Sequence, residues 1–145
     1  MIQLQRNYTQ DSNFINAESG RLQVLTYEEY VSLARIPYSE GISTRVINAL
    51  QMRVGHADLS VEQVSSDLGL TKRTLQRRLQ QQNTSFAEIR DDIRFHYAIK
   101  YLIDDRMSVD IVSKALDFSD RTSFTNAFKR WTGLSPSVFR KLFRD

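Results

Sequence analysis

The 145-residue chain has no cysteine, two prolines and five glycines, and it lacks the signals of several protein classes. Without cysteine there is no disulfide scaffold, no thiolate zinc site, no iron–sulfur cluster and no cysteine nucleophile. No apolar run approaches the roughly 18 residues that a membrane-spanning helix needs. The first residues also lack the cationic and apolar regions of a signal peptide. We therefore expect a cytoplasmic protein that makes no contact with a membrane.

Motifs for catalysis and metal binding are lacking as well. The sequence contains no glycine-rich phosphate loop and no Gly-x-Ser-x-Gly elbow. His56 and His96 have no partner at the spacing of metal ligands. The aspartate pairs at 91–92 and 104–105 are adjacent residues, which do not share a helix face. The sequence therefore predicts no enzyme activity, no cofactor and no metal site.

Basic side chains are concentrated in the second half of the chain. The composition, 41% hydrophobic and 26% charged, is that of a globular protein. Residues 1–70 carry five Lys/Arg and eight Asp/Glu, a balance of −3, whereas residues 71–145 carry fifteen and nine, a balance of +6. Such an asymmetry between halves favours a polyanionic partner for the basic half.

Helical periodicity dominates from residue 42 onward, because apolar residues recur at three- and four-residue spacing. We predict an all-α fold for residues 42–145 with about seven helices, at about 43–54, 60–69, 71–82, 85–104, 108–116, 119–131 and 135–143. Residues 1–41 are less regular, with one short helix predicted from Thr26 to Pro37. We interpret them as a loosely attached N-terminal arm or the remnant of a preceding domain.

The sequence repeats itself at an offset of 48 residues. Residues 60–65 read SVEQVS and residues 108–113 read SVDIVS, and one-residue insertions later move the offset to 49 and 50. Each unit is a short helix, a tight turn and a longer helix, which is the layout of a helix-turn-helix motif. We predict a first motif at about 60–82, a linking helix at about 85–104 and a second motif at about 108–132.

The second helix of each unit has an apolar stripe and an opposite polar arc. The stripes are Leu75 with Leu79, and Phe124 with Phe128. The arcs occupy matching positions without an acidic residue: Arg73, Gln76, Arg77 and Gln80, then Thr122, Thr125, Asn126 and Lys129. Arg, Gln and Asn read base edges, and Lys suits phosphate. A solvated helix face usually mixes both signs of charge, so these arcs favour contact with DNA.

Residues 59–140 resemble the DNA-binding domain of the AraC/XylS family of bacterial transcription regulators. The resemblance is most specific at 118–136, which combines aromatic residues, a basic pair, a glycine turn and a Ser-Pro helix start. It implies two helix-turn-helix modules that enter successive major grooves of double-stranded promoter DNA, roughly 34 Å apart. It further implies a sequence-specific regulator, an activator that contacts RNA polymerase. Only 59 residues precede Ser60, so we expect no small-molecule effector site in this chain.

The resemblance also assigns roles to individual residues. Base reading falls to Arg73, Gln76, Arg77, Arg121, Thr122, Thr125 and Asn126, and phosphate contact to Thr71, Lys72, Gln80, Ser119 and Lys129. Two positions depart from the family: Asp117 replaces the usual turn glycine, and Asn126 replaces a common arginine. Aspartate tolerates a left-handed backbone better than most residues, and asparagine shifts base preference toward adenine. The alternatives are a sequence-tolerant architectural DNA-binding protein and a protein-interaction module without DNA contact.

Overall fold

The computed structural model describes residues 24–144, which form eight helices and no β-strand. The helices are α1 (Tyr27–Leu33), α2 (Ile42–Arg53), α3 (Val61–Asp67), α4 (Lys72–Gln81), α5 (Phe86–Ile99), α6 (Val109–Ala115), α7 (Arg121–Thr132) and α8 (Pro136–Phe143). A π-helical turn, Lys100–Asp104, continues α5. The all-α prediction is confirmed, and no helix in this part of the chain is long and apolar enough to cross a membrane.

Side-chain caps explain why the helix boundaries were readable from sequence. A Ser, Thr or Asp side chain accepts a backbone hydrogen bond at the start of every described helix except α2. At α1 the two side chains form a complete capping box: Thr26 Oγ1 accepts from Glu29 N–H, and Thr26 N–H donates to Glu29 Oε1 at 2.9 Å. The predicted start of α7 at Ser119 is wrong. Asp120 is the cap there, and its Oδ1 accepts from Ser123 N–H at 2.7 Å.

The long helix α5 joins two three-helix modules. In the first module (residues 42–81), α2, α3 and α4 pack together, and α2 lies along α5. In the second module (residues 109–143), α6 and α8 pack on the π-helical turn and α7 packs on both. The first core is mainly aliphatic, with Val46, Leu50, Val64, Leu75 and Leu79 buried; the second is mainly aromatic, with Phe124, Phe128, Trp131 and Phe139 buried.

The short helix α1 is firmly packed on the second module. Tyr30 is completely buried, its ring lies edge-on to Phe139 with centroids 5.2 Å apart, and its hydroxyl donates to the Thr132 carbonyl at 3.2 Å. The predicted loose attachment is therefore wrong for the described part of the arm. A seven-residue helix shows no sign in its own sequence of a partner about 100 residues away. The rest of the arm, residues 1–23, lies outside the described residues.

Candidate nucleic-acid interface

The turns of the two helix-turn-helix units have the same hydrogen bond at the same repeat position. Leu70 N–H donates to the Ser65 carbonyl at 3.0 Å, and Phe118 N–H donates to the Ser113 carbonyl at 3.0 Å. The residue before each donor is left-handed: Gly69 has φ 69°, and Asp117, as predicted, has φ 59°. The sequence repeat is thus a structural repeat: the turns that precede α4 and α7 have the same hydrogen bond and the same left-handed residue.

The predicted polar arc of α4 faces solvent. Leu75 and Leu79 are completely buried. The opposite side chains are all exposed, namely Arg73, Gln76, Arg77 and Gln80. Among the described residues, no carboxylate forms an ion pair with Arg73 or Arg77. Their guanidinium groups therefore present unneutralised positive charge and a full set of hydrogen-bond donors.

The matching arc of α7 is also exposed but less strongly charged. Thr122, Asn126 and Lys129 are exposed, while Thr125 is half-buried. Lys129 is the one cation of this arc, and no described carboxylate forms an ion pair with it. The second arc therefore offers amide and hydroxyl groups where the first offers guanidinium groups.

An acidic residue on the first helix of each motif pairs with a cation at the start of the second helix. Lys72 Nζ lies 3.0 Å from Glu62 Oε2, and Arg121 Nη1 lies 3.4 Å from Asp110 Oδ1. The hydrogen bond from Lys72 lowers the pKa of the Glu62 carboxyl. Glu62 and Asp110 are equivalent in the repeat, at the third residue of SVEQVS and SVDIVS. Neither acid is among the predicted site residues, although the sequence repeat places both at the same position.

Comparison with known proteins agrees with this geometry. A family model described as a helix-turn-helix domain matches residues 64–142. The chain belongs to the AraC/XylS family of transcription regulators. The ornithine utilization regulator of Pseudomonas aeruginosa is 33% identical over 125 residues, which cover 86% of this chain but only 37% of that protein. The chain thus spans about a third of the length of this relative.

Solved structures show the same fold. The transcriptional regulator CdpR from Pseudomonas aeruginosa matches with a TM-score of 0.63 and 29% identity, over 81% of this chain and 36% of that one. A DNA-binding transcriptional dual regulator from Escherichia coli K-12 also matches with a TM-score of 0.63. It is 17% identical and covers 73% of this chain and 95% of that chain, so this second likeness shows the fold alone.

The helix starts of this AraC/XylS-family chain differ between the motifs. At α4 the cap is the neutral hydroxyl of Thr71, which accepts from Thr74 N–H at 3.1 Å. At α7 the cap is the Asp120 carboxylate, whose pKa is lowered by hydrogen bonding to Ser123. Ser119 lies before this cap, with its Oγ 3.2 Å from Ser123 Oγ. An anionic cap opposes a phosphate at that helix end, so the first motif has the more favourable start for phosphate contact.

His96 and Asp91, which carry no predicted role, make contacts between helices. The half-buried His96 places Nδ1 at 3.1 Å from the Ala34 carbonyl and so attaches α1 to α5. Asp91 pairs with Arg130 at 2.9 Å between α5 and α7. Within residues 24–144, no group of three His, Cys, Asp or Glu side chains is arranged to hold a metal ion.

Proposed function

We propose that the chain binds double-stranded promoter DNA sequence-specifically, with α4 and α7 in successive major grooves, and thereby regulates transcription. The observation that carries this proposal is the pair of exposed, non-acidic arcs at equivalent positions of two structurally repeated motifs. A major groove about 12 Å wide admits one α-helix, and successive grooves on one face of the duplex lie about 34 Å apart.

The arcs divide into base-reading and phosphate-binding side chains. We assign base reading to Arg73, Gln76, Arg77, Arg121, Thr122, Thr125 and Asn126, and phosphate contact to Thr71, Lys72, Gln80, Ser119 and Lys129. Arg77 suits guanine through two parallel hydrogen bonds, and Gln76 and Asn126 suit adenine. The exposure of Arg77, Gln76 and Asn126 supports this assignment, because a base reader has to reach the groove.

The wider role of the chain is proposed with the support of its family membership. We propose that residues 42–145 act as the DNA-binding domain, that residues 1–41 are an N-terminal arm or the remnant of a preceding domain, and that the chain is not an enzyme. We further propose that it works as an activator in the cytoplasm, contacts RNA polymerase and holds no small-molecule effector site. Family membership supports a role in the regulation of transcription.

Equilibrium binding to matched duplexes tests the proposal. A site selected from random duplexes is compared with a scrambled duplex of equal composition at several salt concentrations. We expect the selected site to bind roughly 10³-fold more tightly or better. Near-equal binding would instead favour an architectural DNA-binding protein, and no binding would favour a protein-interaction module. Arg35→Ala, which removes an exposed charge outside both recognition helices, is the matched control.

A further inference from the structure

The two modules are bonded to each other directly as well as through the linking helix. Gly55 N–H donates to the Ala115 carbonyl at 3.1 Å, and Leu59 N–H donates to Asp117 Oδ2 at 2.9 Å. The donors lie in the loop that connects α2 to α3 in the first module. The acceptors lie at the end of α6 and in the turn of the second motif. The start of one motif therefore touches the turn of the other.

The linking helix α5 also holds this turn, through hydrogen bonds from Arg94. Arg94 of α5 is 8% exposed, and it donates from Nε to the Leu116 carbonyl at 2.8 Å and from Nη2 to the Asp117 carbonyl at 2.6 Å. Its guanidinium carbon lies 4.0 Å from the centroid of the Phe118 ring. Burial lowers the pKa of Arg94 to about 10, so the side chain is still charged at neutral pH. The turn is thus fixed between α5 and the first module.

Asp117 occupies a backbone position that glycine occupies in the other motif. Gly69 is its equivalent, and a Cβ there would meet no atom within 4 Å. Both residues are left-handed, a conformation that costs an L-residue energy and costs glycine none. Asp117 adopts this conformation despite its energetic cost, and its side chain accepts a hydrogen bond from Leu59 N–H that glycine could not accept.

We propose that Asp117 is a positioning residue that fixes the separation and rotation of α4 relative to α7, and so selects sites by the distance between their half-sites. This inference rests on the proposed function. Leu59 is completely buried and directly precedes Ser60, the cap of α3, while Asp117 lies three residues before Asp120, the cap of α7. The bond between them therefore joins the segments that orient the two motifs.

The spacing of DNA half-sites makes the role measurable. One added base pair turns a half-site by roughly a tenth of a helical turn and moves it by about 3.4 Å. A rigidly coupled pair of recognition helices cannot follow that change without losing contacts, whereas loosely coupled modules can. The measurement is fluorescence-anisotropy binding of the full chain to the selected duplex and to duplexes with one base pair inserted or removed between half-sites.

Two variants at one position separate the bond from the charge. Asp117→Gly removes the acceptor and relaxes the turn, while Asp117→Asn removes the same charge but keeps a carbonyl that can accept from Leu59 N–H. For the wild type and Asp117→Asn we expect an affinity loss of about tenfold or more on altered spacing. For Asp117→Gly we expect a loss of less than about threefold. The inference would be overturned if Asp117→Gly lost as much affinity on altered spacing as the wild type does. It would also be overturned if both variants became equally insensitive to the spacing.

Hydrogen exchange at the Leu59 amide tests the bond without DNA. Exchange should be faster in Asp117→Gly than in wild type and nearly unchanged in Asp117→Asn, because only glycine lacks the acceptor. Unchanged exchange in Asp117→Gly would overturn the inference even if that variant binds DNA. By contrast, failure of the wild-type chain to bind any duplex would contradict the proposed function itself, so the two failures are distinguishable.

Discussion

The recognition helix of the first module carries Lys72, Arg73, Arg77 and Arg78 behind a neutral threonine cap, whereas α7 of the second module begins behind a carboxylate. Two of the three cations on α7 are already paired, Arg121 with Asp110 and Arg130 with Asp91, whereas one of the four on α4 is, Lys72 with Glu62. Phosphate neutralisation supplies affinity for any sequence, while amide and hydroxyl groups at base edges discriminate between sequences. From this difference we expect the first module to supply most of the electrostatic affinity for DNA and the second module to rely on neutral contacts.

The cores show that one backbone frame can be built from different side chains. Leu79 in the first module and Phe128 in the second occupy matching positions, and both are completely buried. Phe128 packs edge-on against Phe139 with centroids 5.2 Å apart. Among the features common to both motifs are the left-handed turn residue and the N–H to carbonyl bond of the turn. Turn geometry therefore defines the repeat more strictly than core composition does.

The largest expected effect is the loss of unfolding free energy when one core side chain of either module is truncated. Phe128→Ala should lower the free energy of unfolding by about 3–5 kcal/mol, and Leu79→Ala by about 2–5 kcal/mol, because each leaves a cavity. Urea unfolding followed by circular dichroism measures both. Lys129→Ala, next to Phe128 but exposed, is the control and should leave stability nearly unchanged. A fully stable Phe128→Ala chain with selective loss of DNA binding would refute the core assignment.

Base reading by the first module is the next largest effect. Arg77→Ala should cost about 1–3 kcal/mol on the selected site and relax preference at one base position. Arg78→Ala removes the same charge from an exposed position beside the arc, so it should weaken selected and scrambled duplexes alike. Binding-site selection with each variant makes the comparison. If Arg77→Ala keeps its preference at every base position, Arg77 does not read a base.

Phosphate contact by the second module is expected to be sequence-independent. Lys129→Ala should weaken binding to all duplexes by a similar factor and reduce the slope of log affinity against log salt by about one. Titrations at several salt concentrations measure that slope. A loss confined to the selected site would show that Lys129 contributes to base reading instead.

The acid–cation pairs give a smaller effect of opposite sign. Asp110→Asn should release Arg121 and remove a negative charge near the DNA, strengthening binding to all duplexes by less than about 1 kcal/mol. Glu62→Gln is the matched change in the first module and should act in the same direction through Lys72. Anisotropy titrations on a scrambled duplex measure both. Weaker binding by either variant would mean that the acid orients its cation for contact with DNA.

The smallest effect concerns the attachment of α1 to α5. Burial lowers the pKa of His96, so the unfolded chain binds a proton more tightly than the folded chain does. The contribution of neutral His96 to the free energy of unfolding is therefore fully present above the usual histidine pKa of about 6.5. It is lost as the pH falls below that value. The difference in unfolding free energy between wild type and His96→Gln, measured from about pH 8 to about pH 5, should shrink toward acid. A difference independent of pH would contradict this assignment.

Local signals account for what the sequence predicted, and distant contacts account for what it did not. The caps at Ser60, Ser108 and Ser135 fixed helix starts because each acts within one helical turn. The exposed arcs followed from periodicity in the same way. The burial of Tyr30 and the bonds of Arg94 depend on partners 22 to 102 residues away, for which a single sequence carries no local signal.

The most direct test is selection of binding sites from random duplexes by the full chain. We expect a consensus with two blocks whose centres lie one helical turn, about 10–10.5 base pairs, apart. We also expect guanine in the block contacted by Arg77 and adenine in the block contacted by Asn126. A single enriched block, or no enrichment over the starting pool, would contradict the claim that both recognition helices read successive grooves.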